Sequence, residues 1–181
     1  MTKGEQTRRK IVEAAAPIFN KRGYKGSSLS DLMEATGLKK GGIYRHFSSK
    51  EELAAEAFDY AWEAAWNARL LHVDEKANGI EKLKQLIANF VEHRSPVAGG
   101  CPILNTAIDA DDGNPVLSAH VAKAVRSWLS RLQTIVDQQI EQMYLEDLRV
   151  GQKFTSGTYV MEAVWIKEFA AEFDPQPFHL D

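Results

Sequence analysis

The 181-residue sequence predicts an all-α chain with a short tail of different character. Apolar residues recur three and four apart through residues 1–143, the spacing that lines one face of a helix. Helix-starting and helix-stopping residues stand at the ends of those segments. With 44% hydrophobic and 26% charged side chains, the composition is that of an ordinary globular protein of one or two domains.

The elements follow in order. A first helix carries Ile11, Ala15, Ile18 and Phe19 on one face and closes at Gly23-Tyr24. Ser28, with Asp31 after it, caps a second helix starting at Leu29. Its hydroxyl takes an orphan amide, and the carboxylate suits the positive end of the dipole. Gly37 ends that helix, because the residue after a helix commonly takes a left-handed conformation. Lys39 and Lys40 open a third, with Gly41-Gly42 in its first turn. An interior Gly costs roughly 0.8–1.0 kcal/mol relative to Ala. Two in so short a helix point to close approach of the backbone to another surface, and the phosphate chain of a nucleic acid fits. A capping box, either Ser48 with Glu51 or Ser49 with Glu52, then starts a long helix over residues 50–72.

That long helix bears Leu53, Ala57, Ala61, Ala65 and the pair Trp62/Trp66 at helical spacing. Residues 79–93 give another, with Ile80, Leu83, Leu86, Ile87, Phe90 and Val91. A short helix from Pro102 to Ala110 follows the Gly99-Gly100 break, and Asn114-Pro115 starts a long one bearing Val121, Val125, Trp128, Leu129, Leu132, Ile135, Val136 and Ile140. Four striped helices make a bundle, and a bundle interior is a usual place for a small-molecule pocket. Trp62, Trp66, Phe90, His93, Asn105 and Trp128 are the candidates to line it. The same Trp spacing also serves a plain core, and His93, like His120, also reads as a surface or satisfied side chain. Cys101 at a helix start reads either as a redox or electrophile sensor or as a small buried thiol. The five His pair with no Cys or carboxylate at metal-ligand spacing, so neither metal nor cofactor is expected.

Charge is unevenly placed. Residues 1–50 hold eleven Lys or Arg against four Asp or Glu, a net of +7, while the remaining 131 residues hold eleven against twenty-one, a net of −10. A basic end on an acidic body is the electrostatic footprint of a duplex binder. The polar amino terminus shows no secretory signal, no apolar run approaches a bilayer-spanning length, and one Cys excludes an internal disulfide framework. Together these favour the cytoplasm.

The segment Leu38-Lys-Lys-Gly-Gly-Ile-Tyr-Arg-His-Phe-Ser-Ser-Lys-Glu-Glu-Leu53 resembles the helix-turn-helix signature of TetR-type transcriptional regulators. Gly37, Gly41, Tyr44, His46, Phe47, Lys50 and Leu53 fall at that family's spacing. The resemblance implies a non-enzymatic, sequence-specific DNA-binding regulator of repressor type, relieved by a small-molecule inducer and acting as a homodimer on a double-stranded operator. It implies that Tyr44 and Lys50 bind phosphates and that Lys39, Lys40, Gly42, Arg45 and His46 lie on or beside the recognition helix. Ser28, Ser30 and Gly41 join them as DNA-binding candidates, while Leu32, Ile43 and Phe47 belong to the module's core. Position 42 is often a hydroxyl residue in the family; Gly42 removes that contact and throws more weight onto Lys39 and Arg45. Cys101-Pro-Ile-Leu-Asn-Thr-Ala107 resembles the corresponding helix in one branch. The expected domains are a helix-turn-helix module over 1–48 and a helical regulatory domain over 49–143.

After Met143 the pattern changes. Two further long helices, which build the dimer interface in such regulators, are not apparent. Gly151, Gly157 and alternating β-favouring residues suggest a turn and short strand, followed by an amphipathic helix from Glu162 to Phe173. Glu146-Asp-Leu-Arg-Val-Gly151, Phe154-Thr-Ser-Gly157 and Phe173-Asp-Pro-Gln-Pro-Phe-His179 resemble the start of MaoC-like hot-dog dehydratases. That resemblance implies that Asp174 and His179 are a remnant of a dyad that hydrates enoyl thioesters. No central helix or sheet follows to hold a thioester, so the expectation for 144–181 is a fusion remnant, a frame junction or a truncation without catalysis.

Overall fold

The computed structural model describes residues 1–110 and 113–140. The expected strand, helix and Asp174/His179 pair of the tail lie outside the described residues. The described chain belongs to the compact unit Met1–Tyr144 and holds seven helices and no strand: α1 (Lys3–Gly26), α2 (Leu29–Thr36), α3 (Lys40–Tyr44), α4 (Lys50–Leu70), α5 (Gly79–Glu92), α6 (Pro102–Ala110) and α7 (Pro115–Ile140). The all-α expectation holds, and the expected helix limits are met to within two or three residues.

Cap chemistry sets several of these limits. Thr2 and Glu5 form a capping box at the start of α1, and Ser28 and Asp31 form one at the start of α2. At α4 the Ser49/Glu52 box is half formed, and the bonds of Ser48 go to Glu52 rather than Glu51. Ser49 takes the amide of Glu52, but the Glu52 carboxylate turns back to the amide and hydroxyl of Ser48, at 2.6 Å each. Within α1, Gly23 stands at φ 72°, ψ 173° and breaks the helix where the sequence places its end. Only Gly takes that conformation without strain, and a Cβ there would meet the Asp109 carboxyl at 2.9 Å.

The core runs along α4. At its start Ile11, Ala15, Leu32, Ile43, Phe47 and Leu53 join α1, α2, α3 and α4 in one cluster. Ala54, Ala57 and Ala61 are buried there, and small side chains let α1 lie close against α4. Midway, Phe58 packs with Ile103, Val121 and Ala124. At its far end Val73, Leu86 and Ile135 close the cluster, with Trp66 and Leu132 against them. The α5 stripe departs from the expected core, with Ile80, Ile87, Phe90 and Val91 exposed along with Leu129 of α7.

Two polar clamps tie these layers together. Arg8 of α1 donates to Glu52 at 2.6 Å, to Glu56 and to the carbonyl of His46, and its guanidinium lies 4.1 Å from the centre of the Phe47 ring. Hydrogen bonds from Ser48, then from Arg8, hold the Glu52 carboxyl down at about 2. At the other end of α1, buried Asn20 donates to the carbonyls of Ala98 and Gly100 at 3.2 Å, and Asn105 of α6 donates to the Asn20 carbonyl at 2.9 Å. Gly99 passes so close that a Cβ would stand 2.9 Å from the Asn20 backbone. The Asp109 carboxylate accepts the amide of Tyr24 at 2.5 Å.

Two predictions follow from the clamps. Asn20→Ala leaves loop carbonyls unpaired and should cost about 2–3 kcal/mol of stability, read as a lowered midpoint of chemical unfolding; an unchanged midpoint would mean that water replaces the amide. The second concerns acid. In the unfolded chain Glu52 and Asp31 take up protons near their ordinary values of 4.5 and 3.8, whereas folded they hold out to about 2. The unfolded state then binds more protons across that window, so stability is complete above about pH 4.5 and falls as the pH drops toward 2. Thermal unfolding across this range should show the loss, and Glu52→Gln with Asp31→Asn should flatten it.

Candidate nucleic-acid interface and ligand pocket

Burial of Ile43 and Phe47 decides what α3 presents outward. With both side chains at 2% exposure or less, Lys39, Lys40, Gly41, Tyr44 and Arg45 fall on the solvent side. Lys39 is the residue before the helix rather than its first turn, and its side chain makes no cap bond. The Lys40 amine stands 5.9 Å from the centre of the Tyr44 ring. Among the described residues Lys39, Lys40 and Arg45 make no ion pair, whereas Arg8, Arg9 and Arg22 are paired with Glu52 and Glu56, Glu13 and Asp31. Part of the basic excess of this end is therefore used inside the fold, and α3 and its approach carry unpaired cations outward.

The remaining candidates divide. Ser28 serves α2: its hydroxyl donates to Asp31 at 2.7 Å and accepts the Asp31 amide. Ser30 is exposed in the first turn of the same helix. His46 is half-buried, its carbonyl taken by Arg8. Lys50 turns back onto α1, where its amine donates to the Tyr24 carbonyl at 2.5 Å and lies 4.3 Å from the centre of the Tyr24 ring. Burial pushes its pKa down. An ammonium has three donors, so one is engaged here and two are left for a phosphate.

Between α4, α5, α6 and α7 lies a groove of about 380 Å³. Trp62, Phe90 and Trp128 line it, joined by Arg69, Ser95, Cys101, Ile103 and Leu104. The other three candidates sit elsewhere. Trp66 stacks on Trp62 at 5.5 Å but packs into the far core cluster, Asn105 belongs to the clamp on α1, and His93 is exposed with its carbonyl held by Arg69. Cys101 is exposed at the groove, against the buried-thiol reading. Among the described residues no helix is long and apolar enough to cross a membrane.

Comparison with known proteins fits this geometry. Residues 11–57 match the family model "Bacterial regulatory proteins, tetR family", and residues 79–168 match "Tetracyclin repressor-like, C-terminal domain". A TetR-family regulator from Cytophaga hutchinsonii superposes with a TM-score of 0.73 at 38% identity, over 78% of this chain and 72% of that one. A TetR regulator from Chloroflexus aurantiacus gives 0.72 at 43% identity, over 78% and 73%. The chain belongs to the TetR family. The biofilm operon icaADBC HTH-type negative transcriptional regulator IcaR of Staphylococcus aureus is 26% identical over 82 residues, 45% of this chain and 44% of that protein. The chain spans about half the length of the curated relatives it matches. The TetR C-terminal match runs on to residue 168, past the change of pattern at Met143, and the comparisons give the dehydratase resemblance no support.

In this TetR-family chain the glycines of α3 can be weighed against their surroundings. A Cβ at Gly41 would meet nothing within 4 Å, and Gly41 is not among the glycines at positive φ. Among the described residues nothing calls for Gly there, so an outside surface is the reason to test. Gly41→Ala should keep or raise thermal stability, by up to about 1 kcal/mol, and weaken DNA binding in a mobility-shift titration. Undiminished binding would mean that the backbone does not approach DNA at this point.

Proposed function

We propose that the chain binds duplex DNA sequence-specifically through α3, as a homodimer on a paired operator, and represses transcription until a small molecule enters the groove beside α6. The observation that carries this reading is the division of α3 and the residues flanking it: Ile43 and Phe47 face the core, while Lys39, Lys40, Tyr44 and Arg45 face solvent. Lysines and Tyr44 suit phosphates, and Arg45 can read a guanine edge with two parallel hydrogen bonds. Lys50 adds a phosphate contact from the start of α4, and Ser28 and Ser30 flank it from α2. A dimer would set two such helices in successive major grooves. Repression is supported by likeness to a negative regulator. The DNA-binding module takes residues 1–48 and the regulatory bundle 49–143; no catalytic step, metal or cofactor enters the reading.

The test is a mobility-shift titration on the intergenic DNA upstream of the chain's own gene, repeated across salt concentrations. Each phosphate neutralised contributes about −0.9 to the log–log salt slope. Lys39→Ala with Lys40→Ala should make that slope shallower by about 2 and weaken binding on every sequence. Arg45→Ala should cost about 1–3 kcal/mol on the operator and little on unrelated DNA. An unchanged slope together with unchanged discrimination would remove α3 as the contact.

A further inference from the structure

The groove's walls carry information about its occupant that the family match does not. Trp62, Phe90 and Trp128 bring three aromatic faces to it, with the Phe90 and Trp128 rings 6.4 Å apart and tilted by 35°. Rings placed in this way favour a flat aromatic guest over a chain-like one. Its volume, about 380 Å³, is within the range of small-molecule sites.

The polar side chains at the groove can all donate, Ser95 and Cys101 accepting as well. Among the described residues Arg69 is the charged side chain that lines it, and no carboxylate does. Its guanidinium lies 4.6 Å from the centre of the Phe90 ring, and one terminal nitrogen donates to the carbonyls of Asn89 and His93. That leaves the rest of the planar fork to a ligand. The indole N–H of Trp128 and the hydroxyl of Ser95, both on groove residues, are buried and have no hydrogen-bond partner among the described residues. An indole N–H can only donate. Buried donors left unpaired are costly, and an acceptor oxygen that met them as the side chains turned toward the groove would remove that cost.

From these features we infer that the groove binds a planar aromatic carboxylate, with the rings stacked among Trp62, Phe90 and Trp128 and the carboxylate on Arg69. This rests on the reading of the groove as the inducer site. Cationic aromatics are disfavoured, since they would face Arg69 with no carboxylate among the described lining residues to offset it. The full chain is titrated by calorimetry with three probes of one ring system: 2-naphthoate, 2-naphthamide and 2-naphthylmethylammonium. Naphthoate should bind roughly tenfold or more tighter than the cation, with the neutral amide between them, the scale of a charge-assisted hydrogen bond. Trp128→Phe keeps a ring and removes the donor, and should narrow the gap between acid and amide while the fold is unaltered by circular dichroism. Arg69→Met should abolish the preference for the acid.

Equal affinity for all three probes overturns the charge assignment but leaves the groove a ligand site. A preference for the cation overturns it likewise, and binding by none overturns both. Selective naphthoate binding that leaves the DNA shift unmoved upholds the inference and counts against the inducer reading alone.

Discussion

A helix of five residues does not persist in water, because so short a segment gains too few hydrogen bonds to offset the order it imposes. What α3 presents outward therefore depends on what holds it from behind, and Arg8 is at the centre of that support. Its guanidinium covers the face of Phe47, takes the carbonyl of His46 just after α3, and reaches Glu52 and Glu56 one turn apart on α4. Burying Ile43 and Phe47 contributes about 1.5–3 kcal/mol each, and Arg8 fixes the angle at which that burial occurs. A cation that looks from sequence like part of the DNA-facing charge is instead the internal brace that lets other cations face outward.

The second dependence is at the far end of α1. Gly23 breaks the helix with a positive φ, which turns the Tyr24 amide toward Asp109 of α6 and the Tyr24 carbonyl toward Lys50 of α4. One peptide neighbourhood thus joins a helix that borders the groove, a helix of the DNA-facing module and a cation expected to meet phosphate. Asn20 and Asn105 repeat the connection one turn away, pinning the loop that leads into α6. Because Pro102 and Ile103, at the start of α6, line the groove while Asp109 ends on α1, α6 contacts both with little sequence between them.

Much of this was legible in sequence where the signal is local. Caps at Ser28 and Ser49, the stop at Gly37 and the break at Gly23 are decided within a few residues, and the structure keeps them. The outward set on α3 was legible for the same reason, since it follows from which neighbours must be buried. What periodicity could not supply was partnership across the chain. Arg8 meets Glu52 and Glu56 from 44 and 48 residues away, and Asn105 meets Asn20 from 85, so neither pairing leaves a spacing to read. Trp62 and Trp66 differ by one helical turn, yet one lines the groove and the other packs into the core, because α4 passes from one cluster to the next between them. Arg69 and Ser95 carry no motif at all.

Lys50 shows how the local and the long-range readings combine. Its spacing places it with the phosphate contacts, while its geometry ties it to Tyr24 and, through that residue's amide, to Asp109. A lysine amine held by a carbonyl and by an aromatic face has lost much of its freedom before DNA arrives, so less remains to be lost on binding.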